Sequence, residues 1–269
     1  MQRYAVFDLD ETITSRGTWG RFVTQSLKGK PGKLFAMWAR AGIGQLLYKA
    51  THVERISVKR SMLRSSLTGR SRTDLEAMAE EFADEEIRSG LRPGALRELE
   101  ARRMAGDRIL IASAGADIIV EAIAKRLKID TVISTNLSWK GEGENQVCDR
   151  NFGSENCYGS GKLVRLRKCL ETFDDFQRET SHITMYSDSY SDLPVLQFAD
   201  KGVCVNGDSK LLKAADTYGL NLWIGRPKLD YFLRDLCTPL FLPQVVAHDF
   251  CRSQQIYPNV FFPSEIRQS

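Results

Sequence analysis

Two pairs of acidic residues in this sequence are spaced so that their carboxylates could share a site. Asp8 and Asp10 follow a short apolar run near the amino terminus, and Asp188 and Asp192 follow another. Residues two apart in an extended segment point to the same side, so Asp8 and Asp10 are predicted to project together. Adjacent carboxylates repel unless a cation neutralises them, and Mg²⁺ takes carboxylate oxygens together with water and substrate phosphate. Either cluster alone is also compatible with a polar turn.

Two further residues carry groups that bind anions. Ser113 follows an apolar run and precedes Gly115, where the pattern predicts the start of a helix. A hydroxyl and the backbone N–H groups at a helix start form an anion site. Lys162 also lies near a predicted helix start and supplies a positive charge. Leu163 stands where a phosphate-binding P-loop requires Ser or Thr, so Lys162 does not belong to that motif.

Short apolar runs alternate with helical patterns along much of the chain. The runs that predict strands are residues 4–7, 109–112, 131–133, 183–186 and 203–205. This alternation predicts an α/β fold with a Rossmann-like parallel sheet and helices on both faces. Ligands of such sheets bind beyond the carboxyl ends of the strands, which is where the polar residues above are expected.

One stretch breaks the alternation directly after the first strand. Residues 34–48, 53–67 and 73–87 predict helices, the last with Thr73 or Asp74 as its N-cap, and almost nothing between residues 18 and 90 favours a strand. We therefore predict an inserted all-helical cap. The expected division is a discontinuous core at 1–15 and 91–226, a cap at 16–90, and an extension at 227–269 whose role the sequence leaves open.

These motifs, in this order, resemble those of the haloacid dehalogenase superfamily. The similarity is to its phosphoserine phosphatase-like branch (subfamily IB), which carries an inserted helical cap. The four motifs of the family correspond in this sequence to Asp8, Asp10 and Thr12, then Ser113, then Lys162, and finally Asp188 and Asp192. Dehalogenases of this fold lack a catalytic acid at the position of Asp10, because a halide leaving group needs no proton. The resemblance therefore implies phosphate chemistry.

The resemblance also implies a role for each matched residue. Asp8 would attack phosphorus and form an aspartyl phosphate, and Asp10 would protonate the leaving oxygen and then activate water. Mg²⁺ would be held by Asp8, by Asp10 through its backbone carbonyl, and by Asp188. The remaining matched residues would serve the substrate side: Ser113 and Lys162 would bind phosphate oxygens, Thr12 would orient the loop, and Asp192 would orient Lys162 or a metal-bound water.

The sequence departs from the phosphoserine phosphatase pattern at two places. That branch carries a Glu shortly after its first motif to bind the substrate amine, whereas residues 13–19 contain no acid. Ser187 also replaces the glycine that usually precedes the first acid of the fourth motif. Both departures argue against phosphoserine itself as the substrate.

Charge is distributed very unevenly along the chain. Residues 16–72 contain 13 Lys and Arg residues against one acid, Glu54, which gives +12 within a chain whose net charge is +4. The resemblance implies a Mg²⁺-dependent phosphomonoester hydrolase, and some members of this branch act on phosphatidylglycerophosphate. Together with the basic cap, this gives our main prediction of an anionic, lipidic monoester as substrate, with the cap touching an anionic membrane. The same residues also fit a cap whose basic exterior only faces solvent. One alternative is a phosphatase of a small soluble metabolite such as phosphoserine. Another is a non-catalytic module whose basic cap binds nucleic acid.

Composition restricts the class of protein. The chain has 269 residues, of which 42% are hydrophobic and 27% charged, as in ordinary globular proteins. No apolar run approaches the roughly 18 to 20 residues of a membrane-spanning helix, and acids at positions 8, 10 and 11 argue against a signal peptide. The six cysteines form no CxxC pair, which disfavours a zinc site. These features predict a cytoplasmic protein, peripheral to the membrane if the cap binds lipid, and leave the oligomeric state open.

Overall fold

The computed structural model describes residues 1–50 and 55–223 of the chain; the proposed extension 227–269 lies outside them. The strands are β1 (Gln2–Phe7), β2 (Arg108–Ala116), β3 (Thr131–Thr135), β4 (Leu137–Lys140), β5 (Val147–Phe152), β6 (Ser181–Ser187), β7 (Lys201–Val205) and β8 (Asn221–Trp223). The helices are α1 (Thr18–Ser26), α2 (Pro31–Ala50), α3 (Arg55–Ser66), α4 (Arg72–Glu85), α5 (Pro93–Met104), α6 (Asp117–Arg126), α7 (Ser160–Leu170), α8 (Leu193–Phe198) and α9 (Ser209–Tyr218).

Six strands form a parallel sheet in the order β3-β2-β1-β6-β7-β8. Alternate residues of the central strand β1 enter the two apolar layers of the protein. Ala5 and Phe7 join one layer, and Tyr4 and Val6 join the other, as the pleat of a strand requires. The predicted α/β fold with a parallel sheet and helices is confirmed, and each of the five predicted strands is part of it.

The two faces of the sheet are covered by different helices. One layer packs α6 through Ile119 and Ile123 together with helices of the segment between β1 and β2. The opposite layer is built from α7, α8 and α9, with Leu166, Leu196 and Leu211 fully or almost fully buried. Helices on both faces explain why the strand segments read as short continuous apolar runs.

The segment between β1 and β2 is helical, as predicted. Its two ends meet where Thr14 and Leu91 form an antiparallel bridge and Ser15 N donates to Gly90 O at 2.7 Å. The predicted N-cap of α4 is wrong, because the structure places Ser71 there, with its Oγ accepting from Asp74 N at 3.1 Å. The boundaries at residues 16 and 90 stay a prediction. None of the described helices is long and apolar enough to cross a membrane.

A small hairpin gives the helical insert a second attachment. Strands β4 and β5 pair antiparallel and follow the sheet strand β3. Cys148 N donates to Arg70 O and Gly69 N donates to Cys148 O, both at 2.9 Å, so β5 is hydrogen-bonded to the turn between α3 and α4. The insert is therefore tied to the rest of the chain both at its two ends and through this hairpin.

Candidate active site

The polar residues singled out in the sequence meet at one edge of the sheet. Asp8 follows β1, Ser113 lies near the carboxyl end of β2, and Asp188 follows β6. Because β2, β1 and β6 are parallel neighbours, their carboxyl ends lie side by side. All three side chains are buried. The sheet topology thus brings together residues from three distant parts of the chain.

A buried lysine links two of the acids. Lys162, only 2% exposed, donates from Nζ to Asp8 Oδ1 at 2.8 Å and to Asp192 Oδ2 at 2.6 Å. Ser187 Oγ also donates to Asp192 Oδ2, at 2.7 Å. Burial alone would lower the pKa of Lys162, but the two carboxylates outweigh it and hold the pKa above its ordinary value. The ammonium group therefore stays charged beside Asp8.

The Asp8 carboxylate is poorly compensated despite this contact. Burial raises its pKa to about 7; the Lys162 charge lowers it, and the charges of Asp192 and Asp10 add to the rise. Since Oδ1 is occupied by Lys162, Oδ2 is the oxygen available to an incoming ligand. A further positive charge near Asp8 would favour its ionised, nucleophilic form.

The predicted geometry of Asp10 is wrong in one respect. The chain does not stay extended after Asp8: Leu9–Ile13 form a single wide helical turn, closed by Thr14 N donating to Leu9 O at 2.9 Å. Glu11 takes a positive φ of 60° within it. Asp10 is therefore placed by the turn rather than by strand alternation. Its Oδ1 accepts from Thr18 N, the first residue of α1, at 2.8 Å, so the insert helps to orient it.

Strand β2 extends further than the sequence suggests. The predicted helix start at Gly115 is wrong, because β2 continues to Ala116 and α6 begins at Asp117. The fully buried Ser113 Oγ accepts from Gly115 N at 3.0 Å. Its own proton can then be donated to another acceptor, such as a phosphate oxygen. Thr18 Oγ1, buried nearby on α1, has no hydrogen-bond partner among the described residues.

Gly115 is the residue that leaves Ser113 room. A Cβ at this position would lie 2.8 Å from Val120 Cγ2 and 3.3 Å from Ser113 Oγ. We expect Gly115→Ala to displace the hydroxyl and reduce kcat/KM by about tenfold or more, the loss typical of one misplaced hydrogen-bond donor. Gly42→Ala is the matched control, since a Cβ on Gly42 meets nothing within 4 Å. Steady-state kinetics of both variants check this, and equal activities would contradict it.

Asp188 is held by neighbours on both sides. Thr12 Oγ1 accepts from Asp188 N at 3.1 Å and donates to Asp188 Oδ1 at 3.4 Å, so Thr12 lies against the acid. Asp208 N donates to Asp188 O at 2.8 Å, while the Asp208 side chain caps α9. The sequence analysis missed Asp208, although an acid before an apolar-periodic segment is a helix N-cap signal.

The donor set fits a hard divalent cation. Three buried carboxylates, those of Asp8, Asp188 and Asp192, accompany one buried ammonium group, so negative charge is in excess. Asp192 Oδ1 is buried and accepts no hydrogen bond within the described part of the chain. Within residues 1–50 and 55–223, no three His, Cys, Asp or Glu side chains are arranged so that they could hold a metal by themselves. Two carboxylates completed by backbone oxygen and water suit Mg²⁺.

The structure adds a residue from the insert. Lys59, on α3, donates from Nζ to Ala114 O at 2.7 Å and to Asn156 Oδ1 at 3.4 Å. Ala114 directly follows Ser113, so a basic residue of the insert touches the backbone next to the candidate phosphate-binding residue. Nothing in the local sequence around Lys59 indicates this contact, because it depends on how the insert packs against the rest of the chain.

Loss of the Lys59 contact is expected to weaken the site moderately. We expect Lys59→Met to reduce kcat/KM by about tenfold, which is the effect of one hydrogen bond to a charged group. Lys33→Gln, at an exposed position of α2, is the control. It also removes one positive charge but breaks no contact with the site, so it is expected to behave like the wild type. Similar rates for all three proteins would show that Lys59 does not support the site.

A comparison with family models matches residues 5–197 to the haloacid dehalogenase-like hydrolases. The matched segment exceeds half of the chain and contains all the residues from Asp8 to Asp192. The chain belongs to the haloacid dehalogenase-like hydrolases. The resemblance inferred from the motifs is confirmed, including the phosphoserine phosphatase-like branch and the class of enzyme, a phosphatase.

Several known proteins are similar to this chain over most of its length. A histidinol-phosphatase of Neisseria meningitidis is 26% identical over 225 residues, 81% of this chain and 97% of that protein. A phosphoserine phosphatase of Mycobacterium tuberculosis is 27% identical over 178 residues, 65% of this chain and 54% of that protein. A crystal structure of a protein of unknown function from Bordetella pertussis Tohama I matches with a TM-score of 0.72 at 21% identity, over 82% of this chain and 98% of that one. At that identity the structural likeness supports the fold.

Proposed function

We propose that this hydrolase is a Mg²⁺-dependent phosphatase that cleaves phosphate monoesters of small soluble metabolites through an aspartyl phosphate on Asp8. The observation that carries the proposal is the buried contact of Lys162 with both Asp8 and Asp192. It pairs one oxygen of Asp8 with the lysine and leaves the other available to a ligand. Burial of a charged lysine among carboxylates has a desolvation cost and adds little stability, so its presence is better explained by a role with an anionic substrate.

In the first half-reaction, Asp8 Oδ2 attacks phosphorus and the bond from phosphorus to the leaving oxygen breaks. Asp10 gives its proton to that oxygen, and the α1 N-terminus holds the Asp10 carboxyl in place through Thr18 N. Ser113 Oγ and Lys162 Nζ bind phosphoryl oxygens. Mg²⁺, held by the carboxylates of Asp8 and Asp188 and the carbonyl of Asp10, would supply charge that offsets the phosphoryl oxygens.

In the second half-reaction, water attacks the phosphorus of the aspartyl phosphate. Asp10, now ionised, takes a proton from the attacking water, and the bond between phosphorus and Asp8 breaks to release phosphate. Both steps use the same acid in opposite directions, so the enzyme returns to its starting protonation state. Thr12 contributes by holding Asp188 rather than by reacting, since its hydroxyl contacts Asp188.

The substrate is assigned to the class of small soluble monoesters. Histidinol-phosphatase and phosphoserine phosphatase, the relatives described above, are named for such compounds, and neither is named for a lipid. This supports the soluble-metabolite alternative over the lipid substrate expected from the basic cap. The buried Thr18 hydroxyl lies near Gly115 and Ser113 and favours a leaving group that carries hydroxyl or carboxylate oxygens.

A substrate panel tests the proposal. Phosphate release with and without Mg²⁺ is measured for histidinol phosphate, phosphoserine, glycerol phosphate, p-nitrophenyl phosphate and phosphatidylglycerophosphate in vesicles. Mg²⁺-dependent turnover that is fastest on a soluble metabolite supports the proposal. Turnover restricted to the lipid would restore the lipidic substrate expected from the sequence, and no Mg²⁺-dependent release from any monoester would overturn the proposed activity itself.

A further inference from the structure

Helix α2 is apolar on two opposite sides. Met37 and Ala41 face inward and are buried in the apolar layer that the helices of the insert share with one face of the sheet. On the outer side, Phe35 is 78% exposed and Ile43 is 59% exposed, with Ala39 exposed between them. Residues four apart lie on one side of a helix, so these three form a single row, which we call the outer strip. A surface helix normally places polar residues on that side.

Basic residues flank the outer strip on one side and at its amino-terminal end. Lys33 and Arg40, seven residues apart, form an exposed row along α2, and Lys28 and Lys30 are exposed in the turn before it. The sequence contains no acid between Glu11 and Glu54. A shallow cavity of about 410 Å³ at the corner between α1 and α2 is lined by apolar Leu27 and Leu34 together with both turn lysines. Exposed apolar groups and uncompensated positive charge therefore coincide on one surface.

We propose that the outer strip of α2 docks on an anionic lipid bilayer. Phe35 and Ile43 would enter the boundary between headgroups and acyl chains, while Lys28, Lys33 and Arg40 would meet lipid phosphates. Such a helix lies in the plane of the interface, with apolar residues inserted and cations on the headgroups. The docking surface is separate from the catalytic residues, so it recruits the enzyme to a membrane without setting its substrate.

A bilayer explains the composition of this surface better than other partners. A second copy of the chain would bring the same cations face to face, which is unfavourable without acids to pair them. A nucleic acid would satisfy the cations, but it offers no apolar surface for Ile43 and Ala39, and Phe35 alone supplies a single stacking position for a base. Apolar side chains flanked by basic residues gain from an anionic lipid surface through both their apolar and their charged groups.

Co-sedimentation of the full chain with vesicles tests the proposal. The vesicles are phosphatidylcholine alone or mixed with phosphatidylglycerol. We expect binding to the mixed vesicles only, lost at about 0.5 M salt, where screening confines charge interactions to a few ångströms. Phe35→Ser with Ile43→Ser should weaken binding by about tenfold because the inserted apolar area is lost. Lys33→Gln and Arg40→Gln should weaken it by about fivefold each.

The control replaces apolar residues that are exposed elsewhere. Met104→Ser with Tyr218→Ser, on α5 and α9, should bind as the wild type does. Hydrolysis of p-nitrophenyl phosphate in solution should be equal for all variants, which shows that they fold. The proposal is overturned if the wild type does not bind anionic vesicles, or if the Phe35→Ser, Ile43→Ser variant binds them as well as the wild type does. It is also overturned if that variant instead loses affinity for RNA or converts a dimer to a monomer.

Discussion

Asp8→Asn should reduce phosphate release by about four orders of magnitude or more, as expected when the nucleophile of a two-step reaction is removed. An amide oxygen cannot attack phosphorus as a carboxylate does. The fold should persist, because Lys162 keeps its 2.6 Å contact with Asp192 and the amide fills the space of the carboxylate. Phosphate release under saturating Mg²⁺, together with a thermal unfolding transition, checks both halves of this expectation.

The matched control for this variant is Asp130→Asn. Asp130 is an exposed carboxylate on the loop before β3, outside the site, and its conversion to an amide makes the same change of charge. It should leave turnover unchanged. A residual rate for Asp8→Asn near that of the control would exclude the covalent route through Asp8, whatever the substrate proves to be.

Lys162→Met is expected to affect both stability and activity. Removal of one partner of a buried ion pair leaves uncompensated charge in the interior, and this typically lowers the free energy of unfolding by about 3–5 kcal/mol. Here two buried carboxylates, Asp8 and Asp192, lose their shared ammonium group. Denaturant unfolding measures the loss of stability. Turnover should fall by at least about a hundredfold, since a phosphate-binding cation is lost with it.

A second substitution separates the two effects. Asp192→Asn added to Lys162→Met removes one of the stranded charges, so the double variant should be more stable than the sum of the single effects predicts. Its activity should stay as low as that of Lys162→Met, because Asp8 and the phosphate still lack their cation. If the double variant regained activity with its stability, Lys162 would be a structural residue only.

Much of the site could be predicted because parallel α/β folds place strand ends together. Asp8, Ser113 and Asp188 each follow a short apolar run, and the periodicity alone was enough to assign those runs to strands of one sheet. Lys162 carries a positive charge near a predicted helix start, but a single lysine conveys little by itself, so its phosphate-binding role comes from the resemblance to the family. The structure now places it in contact with Asp8 and Asp192.

The features that the sequence did not indicate depend either on long-range pairing or on local backbone conformations. The hairpin of β4 and β5 has strands of only four and six residues, and its contact with Gly69 and Arg70 cannot be read from local composition. The turn after Asp8 requires a positive φ at Glu11. Non-glycine residues rarely adopt this conformation, so the sequence does not predict it. The start of α6 was placed two residues early because Gly115 serves the packing around Ser113 rather than the helix.

The most direct test of the covalent mechanism uses Asp10→Asn with p-nitrophenyl phosphate. The nitrophenolate leaving group needs no proton, so phosphorylation of Asp8 should proceed, whereas its hydrolysis should stall without a base to activate water. The amide oxygen introduced at position 10 can still accept from Thr18 N, which preserves the local geometry. We predict a rapid burst of about one equivalent of nitrophenolate per chain, with phosphate recovered on the peptide that contains Asp8. Steady release without a burst, or phosphate on any other residue, would contradict the mechanism.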